Sequence, residues 1–312
     1  MTALSRNRNV IGIASLILGV MIFSTQDAII KSLSGDYPVT LAIVVRSTVA
    51  LPILMTLVHF ERGLKTLFSR NYLPMLFRGA VLLVSYTTYY MALPALPLAE
   101  AIALFFTAPI LVTILAGPLL GEKVSLKSWG AVATGFIGVL IILRPGSSIF
   151  EPAAFLSLIS ALTYALSMVL ARRLGTTEPS SVMTFYVNGV YMAGAALIAL
   201  GFHAAGIVEL GHPSLDFLVR PWTFPATSDL LLLGLCGVIA AVAMSLLTHA
   251  YRMAEANLVS VYEYTGMIWG PLWGFLFFAE VPRLTTAIGT ALIIAAGIAA
   301  ARMAQGRKPT EA

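Results

Sequence analysis

The sequence predicts an all-α integral membrane protein with ten transmembrane helices in two inverted five-helix repeats (5+5). Three observations predict this fold: the composition, ten long apolar runs, and an internal repeat whose copies fall on opposite sides of the membrane. Of 312 residues, 59% are hydrophobic and only 11% are charged, against about 25% charged in a typical soluble domain. Because the bilayer core offers no water to backbone groups, long apolar runs are expected to cross it as helices.

Ten apolar runs approach the length of about 20 residues that a helical span needs. In chain order they are 10–34, 38–59, 72–93, 97–118, 126–143, 152–171, 181–203, 228–250, 257–279 and 284–303. The first run is not expected to be a cleaved signal peptide, because it holds Gln26, Asp27 and Lys31 and lacks a small-residue cleavage site.

The positions of Lys and Arg predict the orientation, because cytoplasmic loops are enriched in these residues. With the N-terminus placed in the cytoplasm, thirteen of the 19 Lys and Arg residues fall in cytoplasmic segments and four in external ones. The remaining two, Arg46 and Arg78, lie within spans. We therefore expect a multi-pass protein of a bacterial-type cytoplasmic (inner) membrane, with both termini in the cytoplasm.

An internal repeat divides the chain into two halves. At one offset of 158 residues, Thr107 matches Thr265, Glu122 matches Glu280 and Leu126 matches Leu284. Five spans, an odd number, separate the copies, so the Glu122 loop is expected inside and the Glu280 loop outside. The predicted units are residues 10–145 (spans 1–5) and 152–303 (spans 6–10). The outer loop 204–227 accommodates the 17 residues by which the second half is longer.

The repeat carries a recognisable motif: a proline, then Gly-Glu, then spaced glycines. The first half has it at Pro109, Gly121, Glu122, Gly130, Gly135 and Gly138, and the second half at Glu280, Gly289 and Gly297, with Met267 in the place of the proline. Over nearly the whole chain this pattern resembles the EamA type of the drug/metabolite transporter superfamily. Inverted repeats in an apolar chain also point to a transporter.

The resemblance implies a function but leaves the substrate open. Glu263, Tyr264, Thr265 and Trp269, followed by Glu280, Val281 and Pro282, look like the branch that includes riboflavin and S-adenosylmethionine carriers. The layout equally resembles the aromatic amino-acid exporters. We expect a secondary active or facilitative transporter of small organic metabolites, with alternating access to a central cavity. Amino acids or related metabolites are the leading substrates, and uptake of riboflavin or S-adenosylmethionine is the alternative. The direction of transport is not readable.

Four ionisable residues lie inside predicted spans: Asp27, Arg46, Arg78 and Glu263. Each costs about 2.5–3.5 kcal/mol at the bilayer centre, so each needs a partner or a wet cavity. From their depths we expect two ion pairs, Asp27 with Arg46 and Arg78 with Glu263. The alternatives are that each charge reaches its interface or forms a purely structural pair. Glu263 is also a candidate carrier of a coupling proton, since burial favours the neutral form of a carboxyl.

Aromatic stripes mark a candidate substrate cavity. Tyr86, Tyr89 and Tyr90 share one helix face of span 3, and Tyr262 and Trp269 share one of span 9. Such stripes serve either in packing or as a stacking wall for a flat substrate. Asn188, near the middle of span 7, can bind a substrate or a neighbouring helix. The candidate cavity comprises Tyr86, Tyr89, Tyr90, Asn188, Tyr262, Glu263 and Trp269.

Small residues and prolines in spans 4 and 9 predict close helix packing and kinks. Gly266, Gly270 and Gly274 recur every four residues, which places them on one helix face. Pro109 and Pro271 each remove a backbone hydrogen bond and are expected to kink their helices. Glu122 and Glu280, at helix ends, are interpreted as caps or gate contacts rather than substrate ligands.

Other functional classes are disfavoured. A membrane-embedded enzyme is a remote alternative, because the four histidines are divided between the two faces and do not form a catalytic constellation. No nucleotide-binding Gly loop occurs, and we expect no cofactor, no metal and no nucleic-acid partner. Cys236 is interpreted as a small buried hydrophobic residue. The expected partners are a small-molecule substrate, the lipid bilayer and, as an open question, protons. The chain is expected to be a monomer or a homodimer.

Overall fold

The computed structural model describes residues 3–120, 126–144, 151–254 and 259–305. Its α-helices are α1 (Ala3–Leu33), α2 (Val39–Glu61), α3 (Tyr72–Ala92), α4 (Leu98–Phe105), α5 (Ala108–Leu120), α6 (Leu126–Leu143), α7 (Ala154–Leu174), α8 (Ser180–Ala204), α9 (Pro213–Val219), α10 (Thr227–Met253), α11 (Gly266–Phe278) and α12 (Leu284–Gln305). Two 3₁₀ helices cover Leu64–Leu67 and Ser260–Thr265. No strand occurs in the four described ranges, so the all-α prediction is confirmed there.

Helix occupies each of the ten apolar runs, but the count of ten spans stays a prediction. Six helical stretches are long and apolar enough to cross a membrane, judged by length and composition: Val10–Leu33, Val39–Glu61, Leu98–Leu120, Ala154–Leu174, Ser180–Ala204 and Thr227–Met253. The predicted loop contact of Glu122 lies outside the described residues.

Burial in this structure is inverted relative to a soluble protein. Arg46 and Arg78 are 1% and 0% exposed, whereas Leu197, Leu231 and Ile268 are each more than 60% exposed. Charged residues are rarely buried in soluble proteins, and contiguous apolar surface of this kind suits contact with lipid. Polar chemistry is therefore concentrated in the interior of the helix assembly.

Two helical segments are interrupted at matching places. α4 ends at Phe105 and α5 begins at Ala108, so the fourth apolar run breaks just before Pro109. In the ninth run the 3₁₀ helix Ser260–Thr265 gives way to α11 at Gly266. Pro109 thus lies in the first turn of a helix, where its missing N–H costs little.

The kink expected at Pro271 stays a prediction. Pro271 lies inside α11, and the helical segment is interrupted five residues earlier, between Thr265 and Gly266. Threonine hydroxyls stabilise both breaks, because Thr107 donates to the carbonyl oxygen of Leu104 at 2.9 Å and Thr265 to that of Tyr262 at 2.8 Å. Each hydroxyl binds a carbonyl three residues earlier, at the turn where the helical ladder changes.

The helices pack in a few dominant pairs. α1 packs along α10, α3 along α7, α2 along α8, and α6 along α12. The α6–α12 crossing brings two backbones together, since a Cβ added to Gly138 would lie 2.7 Å from the carbonyl oxygen of Gly289. Only glycine permits that approach, because any larger side chain would need the backbone itself to move.

The long loop 204–227 is partly ordered into helix α9. It buries Phe217, which is 1% exposed. Trp222 Nε1 donates to Thr40 Oγ1 at 2.9 Å, and Arg220 Nη1 donates to the carbonyl oxygen of Ser34 at 3.0 Å. These contacts join the loop to the connection after α1, at Ser34, and to the first turn of α2, at Thr40. This face, which also carries Glu280, is called the Glu280 end below.

Candidate functional site: a central cavity with two carboxyl groups

A cavity of about 110 Å³ lies at the centre of the helix assembly. Its walls come from α1, α3, α4, α7, α8, α10, the 3₁₀ helix Ser260–Thr265 and α11. The polar lining residues are Ser24, Asp27, Ser85, Tyr86, Tyr89, Tyr90, Ser160, Tyr164, Tyr191 and Glu263, and the rest are apolar residues and Gly266. Both predicted halves therefore contribute to one cavity, and each supplies one carboxyl group.

Tyrosine hydroxyls hold the first carboxyl, on α1. Tyr90 donates to Asp27 Oδ1 at 2.7 Å, and Tyr89 donates to Asp27 Oδ2 at 3.1 Å. Gln26 extends the network, because its Nε2 donates to the hydroxyls of Tyr90 at 2.9 Å and Tyr86 at 2.8 Å. We call Gln26, Asp27, Tyr89 and Tyr90 the Asp27 cluster. The three tyrosines on one face of α3 thus build a hydrogen-bonding wall.

The second carboxyl, in the 3₁₀ helix, has the same chemistry. Tyr164 and Tyr251 donate their hydroxyls to Glu263 Oε1 at 2.8 and 2.6 Å. Glu263 is 2% exposed, and its second oxygen, Oε2, has no hydrogen-bond partner among the described residues. We call Glu263, Tyr164 and Tyr251 the Glu263 cluster.

One aromatic ring connects the two clusters. The ring of Phe105 lies 5.2 Å from that of Tyr89 and 5.1 Å from that of Tyr164, between centroids. Phe105 is the last residue of α4, immediately before the helix break. The break therefore positions a ring in contact with one tyrosine of each cluster, at separations typical of favourable aromatic pairs.

The two predicted ion pairs are wrong. Within the described part of the chain, no ion-pair contact joins Asp27 to Arg46 or Glu263 to Arg78. The guanidinium of Arg46 lies over the ring of Tyr86, 4.0 Å from its centroid, which is a cation–π contact. Similar depth in the membrane did not bring the charges together, because depth says nothing about the direction in which each helix face points.

Arg78 is held by neighbouring helices. Its Nε donates to the carbonyl oxygen of Ser167 at 3.2 Å, and its Nη2 to Thr248 Oγ1 at 3.5 Å. Neither Arg78 nor Arg46 lines the cavity. Tyr86 and Tyr191, whose ring centroids lie 4.0 and 5.1 Å from the Arg46 guanidinium, do line it.

Three predicted cavity residues lie elsewhere. Asn188 donates to the carbonyl oxygen of Ser47 at 3.0 Å and so joins α8 to α2. Trp269 stacks on Trp273 with ring centroids 6.3 Å apart. Tyr262 precedes the break at Thr265, so it does not share a continuous helix face with Trp269. None of the three lines the central cavity, in contrast to Tyr86, Tyr89, Tyr90 and Glu263.

Sequence reasoning missed Tyr164, Tyr191 and Tyr251. Tyr164 and Tyr251 are each the single tyrosine of their helix, and Tyr191 shares α8 only with Tyr186, five residues away, so no stripe marked them. Tyr191 lines the cavity and packs against Tyr86 with ring centroids 5.3 Å apart. The available signal was that a phenol hydroxyl in an apolar span needs a partner.

The glycine stripe of α11 packs against α4. A Cβ added to Gly266 would meet Phe106, one added to Gly270 would meet Ile102, and one added to Gly274 would approach Leu98. The two interrupted segments therefore lie antiparallel and in close contact beside the cavity. This close approach requires the small residues at steps of four that the sequence supplies.

Polar contacts join the two parts of the chain at the Glu280 end. Glu280 Oε1 accepts from Lys31 Nζ at 2.6 Å, and Glu280 Oε2 accepts from the backbone N–H of Leu98 at 2.7 Å. Leu98 is the first residue of α4, so Glu280 caps that helix. Nearby, Thr286 donates to the buried Glu100 at 3.1 Å. In the described ranges, no group of three or more His, Cys, Asp or Glu could hold a metal ion.

Comparisons with known proteins agree with this architecture. The sequence model of the EamA-like transporter family matches residues 10–144 and 151–301. A pseudopaline exporter, CntI, of Pseudomonas aeruginosa is 28% identical over 95% of this chain and 97% of its own length. A riboflavin transporter of Rhizobium johnstonii is 32% identical over 70% of this chain and 67% of its own length. One solved structure, 20% identical, matches with a TM-score of 0.66 over 96% of this chain and 99% of its own, which shows the fold alone.

An S-adenosylmethionine uptake transporter of Rickettsia felis is 24% identical over 76% of this chain and 74% of its own length. The names of these three relatives give three chemically different substrates. One relative is named as an exporter and another as an uptake transporter. Their names therefore indicate a transporter without indicating a single substrate.

Proposed function

The chain belongs to the EamA-like transporter family of the drug/metabolite transporter superfamily, and on that premise we propose how it works. It is a multi-pass membrane protein that carries small organic metabolites through the central cavity, as a secondary active or facilitative transporter with alternating access. Amino acids or related metabolites are the leading substrates. Riboflavin or S-adenosylmethionine is the alternative, supported by the names of two relatives.

The observation that carries the proposal is the cavity beside two interrupted helices. Discontinuous helices at corresponding positions of two repeats characteristically flank the substrate site of secondary transporters. Here the interruptions follow Phe105 and Thr265, and both Phe105 and Glu263 line the cavity. A break frees backbone groups and allows a helix segment to move, which alternating access requires.

The arrangement of ten spans in two inverted halves belongs to the proposal, and the helix pairs support it. Exchanging spans 1–5 with spans 6–10 turns the α1–α10 pair into the α7–α3 pair, and it returns the α2–α8 and α6–α12 pairs to themselves. The same exchange turns the α5–α7 contact into the α11–α1 contact. All these pairs occur, as expected for two copies of one unit.

A pair of basic side chains gives independent support for the inverted repeat. Lys31 Nζ donates to the carbonyl oxygen of Leu96 at 2.8 Å, and Arg172 Nη1 donates to that of Ala254 at 2.7 Å. The two acceptors are 158 residues apart, which is the offset of the internal repeat. The two donors are 141 residues apart, which is that offset less the 17 extra residues of the second half. Related side chains thus make related contacts at opposite ends of the cavity.

The excess of Lys and Arg on one side supports a location in the inner membrane with both termini cytoplasmic. In that orientation the Glu280 end faces outward. Glu263 and Asp27 are the candidate carriers of a coupling proton, because both are buried carboxyl groups in the cavity wall.

Flux into vesicles tests the proposal. Purified protein is reconstituted, and uptake of labelled amino acids, riboflavin and S-adenosylmethionine is measured at two pH values against empty vesicles. Saturable uptake of at least one compound is expected, together with accelerated exchange when the same unlabelled compound is placed on the far side. Flux no greater than that of empty vesicles for the whole panel would contradict these substrate assignments.

A cavity-filling variant connects flux to the site. Phe105→Trp enlarges a ring between the two clusters and is expected to reduce flux at least tenfold. Phe136→Trp is the matched control, because Phe136 is 48% exposed on α6 and away from the cavity. Equal flux in both variants would argue against passage through this cavity.

A further inference from the structure

The charged side chains that line the cavity in the described part of the chain are all acidic. Of the 19 lining residues, two are acidic, Asp27 and Glu263, and none of these described residues is Lys, Arg or His. The buried guanidinium of Arg46 lies over the rings of Tyr86 and Tyr191, and neither Arg46 nor Arg78 is among the lining residues. A bound molecule therefore meets carboxyl oxygens directly, whereas it meets no positive group.

One oxygen of Glu263 is a hydrogen-bond acceptor without a donor among the described residues. Its Oε1 receives two tyrosine hydroxyls, yet its Oε2 is buried and has no partner in the part of the chain that the structure describes. A buried polar atom without a hydrogen bond costs about 1–3 kcal/mol, and more when it is charged. Such an atom in a cavity wall is best explained by a donor that the bound state supplies.

The remaining wall suits the body of an organic molecule. It offers the ring faces and edges of Tyr86, Tyr89, Tyr164 and Phe105. The three tyrosine hydroxyls are already engaged in hydrogen bonds with residues of the two clusters. Aromatic rings also attract cations through their quadrupole. A substrate carboxylate would find two carboxyl groups of the same sign and no cationic partner on this surface.

We propose that the transported substrate is a small organic cation, an amine or sulfonium on a flat or apolar body, whose charged group binds Glu263 Oε2. Asp27, on the other side of Phe105, offers the second anionic position along the path. The inference rests on the proposed function, because it takes the cavity to be the transport site. It narrows the substrate class from metabolites in general to those that carry net positive charge.

Three probes of one shape test the charge requirement. Phenethylamine, phenylalanine and 3-phenylpropionate share a ring and a short chain, but they are a cation, a zwitterion and an anion at neutral pH. Binding to the purified full chain is measured by calorimetry, and transport is measured by vesicle flux. We expect phenethylamine to bind at least tenfold more tightly than phenylalanine, and 3-phenylpropionate not to bind measurably.

A variant assigns the charge to its residue. Glu263→Gln keeps an oxygen for the tyrosine hydroxyls but removes the negative charge, so phenethylamine affinity is expected to fall about 10- to 100-fold, the range for a hydrogen bond to a charged group. Glu209→Gln, an identical change at an exposed position in the outer loop, is expected to leave affinity unchanged. Unaltered thermal unfolding of Glu263→Gln establishes that the variant is folded.

The outcomes separate the two claims. Anion or zwitterion binding as tight as that of the cation, or wild-type phenethylamine affinity in a folded Glu263→Gln protein, would overturn the inference and leave the transporter proposal standing. Selective cation binding without flux of any probe would support the cation site and count against transport through it. Flux of only neutral or anionic metabolites in the larger panel would also overturn the inference.

Discussion

Replacing Glu280 is expected to loosen the Glu280 end of the protein. This carboxylate joins parts of the chain far apart in sequence, because it binds the Lys31 ammonium at 2.6 Å and caps α4 through the N–H of Leu98 at 2.7 Å. Glu280→Gln removes the ionic attraction but keeps an oxygen for the cap. Glu280→Ala removes both interactions, so the two variants separate charge from capping.

The geometry sets the size of the effect. The side chains of Lys31 and Glu280 are 11% and 23% exposed, so solvent screens the pair only partly, and its contribution is set at about 1 kcal/mol, the upper end for a solvent-accessible pair. A lost helix cap costs about 1 kcal/mol. If these contacts form only when this end is closed, Glu280→Gln raises the open-to-closed ratio about fivefold, and Glu280→Ala raises it about 30-fold.

Alkylation of a reporter cysteine measures that ratio. Ser24 lines the cavity, so Ser24→Cys in a Cys236→Ala background reports access to it. A membrane-impermeant maleimide is added from the Glu280 side, and the labelling rate is compared among variants. Rates are expected to rise about fivefold for Glu280→Gln and about 30-fold for Glu280→Ala, whereas Glu209→Gln labels at the parental rate. A labelling rate that is unchanged or lower in folded Glu280→Ala protein would refute the reasoning.

Two further predictions concern stability. Tyr90→Phe should destabilise the protein by about 2–3 kcal/mol and Tyr89→Phe by about 1 kcal/mol. The difference is expected because the Tyr90 hydroxyl makes two buried hydrogen bonds and the Tyr89 hydroxyl makes one. Equal shifts of the thermal unfolding midpoint in the two variants would contradict this. Gly138→Ala should destabilise the protein by about 1–3 kcal/mol, because the added Cβ would meet the backbone oxygen of Gly289. Gly130→Ala is the control, since its added Cβ would meet nothing within 4 Å. Unfolding midpoints that fall equally in the two variants would disprove the close crossing.

Hydropathy alone located most of the helices. The run 126–143 coincides with α6 and the run 72–93 with α3 to within a residue, because a helix that faces lipid must be apolar over its whole length. The stripe Tyr86, Tyr89 and Tyr90 lies in the wall of the central cavity, and its role in substrate binding stays a prediction. Residues on one helix need only the helical period to be placed on one face.

Contacts between helices were beyond the sequence. Asp27 and Arg46 come from different helices at similar depth, yet their partners are tyrosines, since helix rotation and pairing decide which faces meet. Tyr164 and Tyr251 approach Glu263 from two other helices, which no spacing along the chain reveals. The breaks at Thr107 and Thr265 had a signal in the sequence, namely the threonines that the repeat matches. That signal does not predict a break by itself, because the break depends on a local change in the helical hydrogen bonding.

The unbalanced charge of the cavity has an electrical consequence. A substrate that carries one positive charge and crosses without a co-ion moves that charge through the membrane potential, which is worth about 2.3 kcal/mol per 100 mV. With the cytoplasm negative, 100 mV would sustain an inward accumulation of about 50-fold. Voltage alone could then drive uptake, whereas export of the same cation would require exchange for protons at the two carboxyl groups. Uptake of the cation alone would carry a current through reconstituted membranes, whereas its one-for-one exchange with a proton would carry none, so a substrate-dependent current would distinguish these two modes.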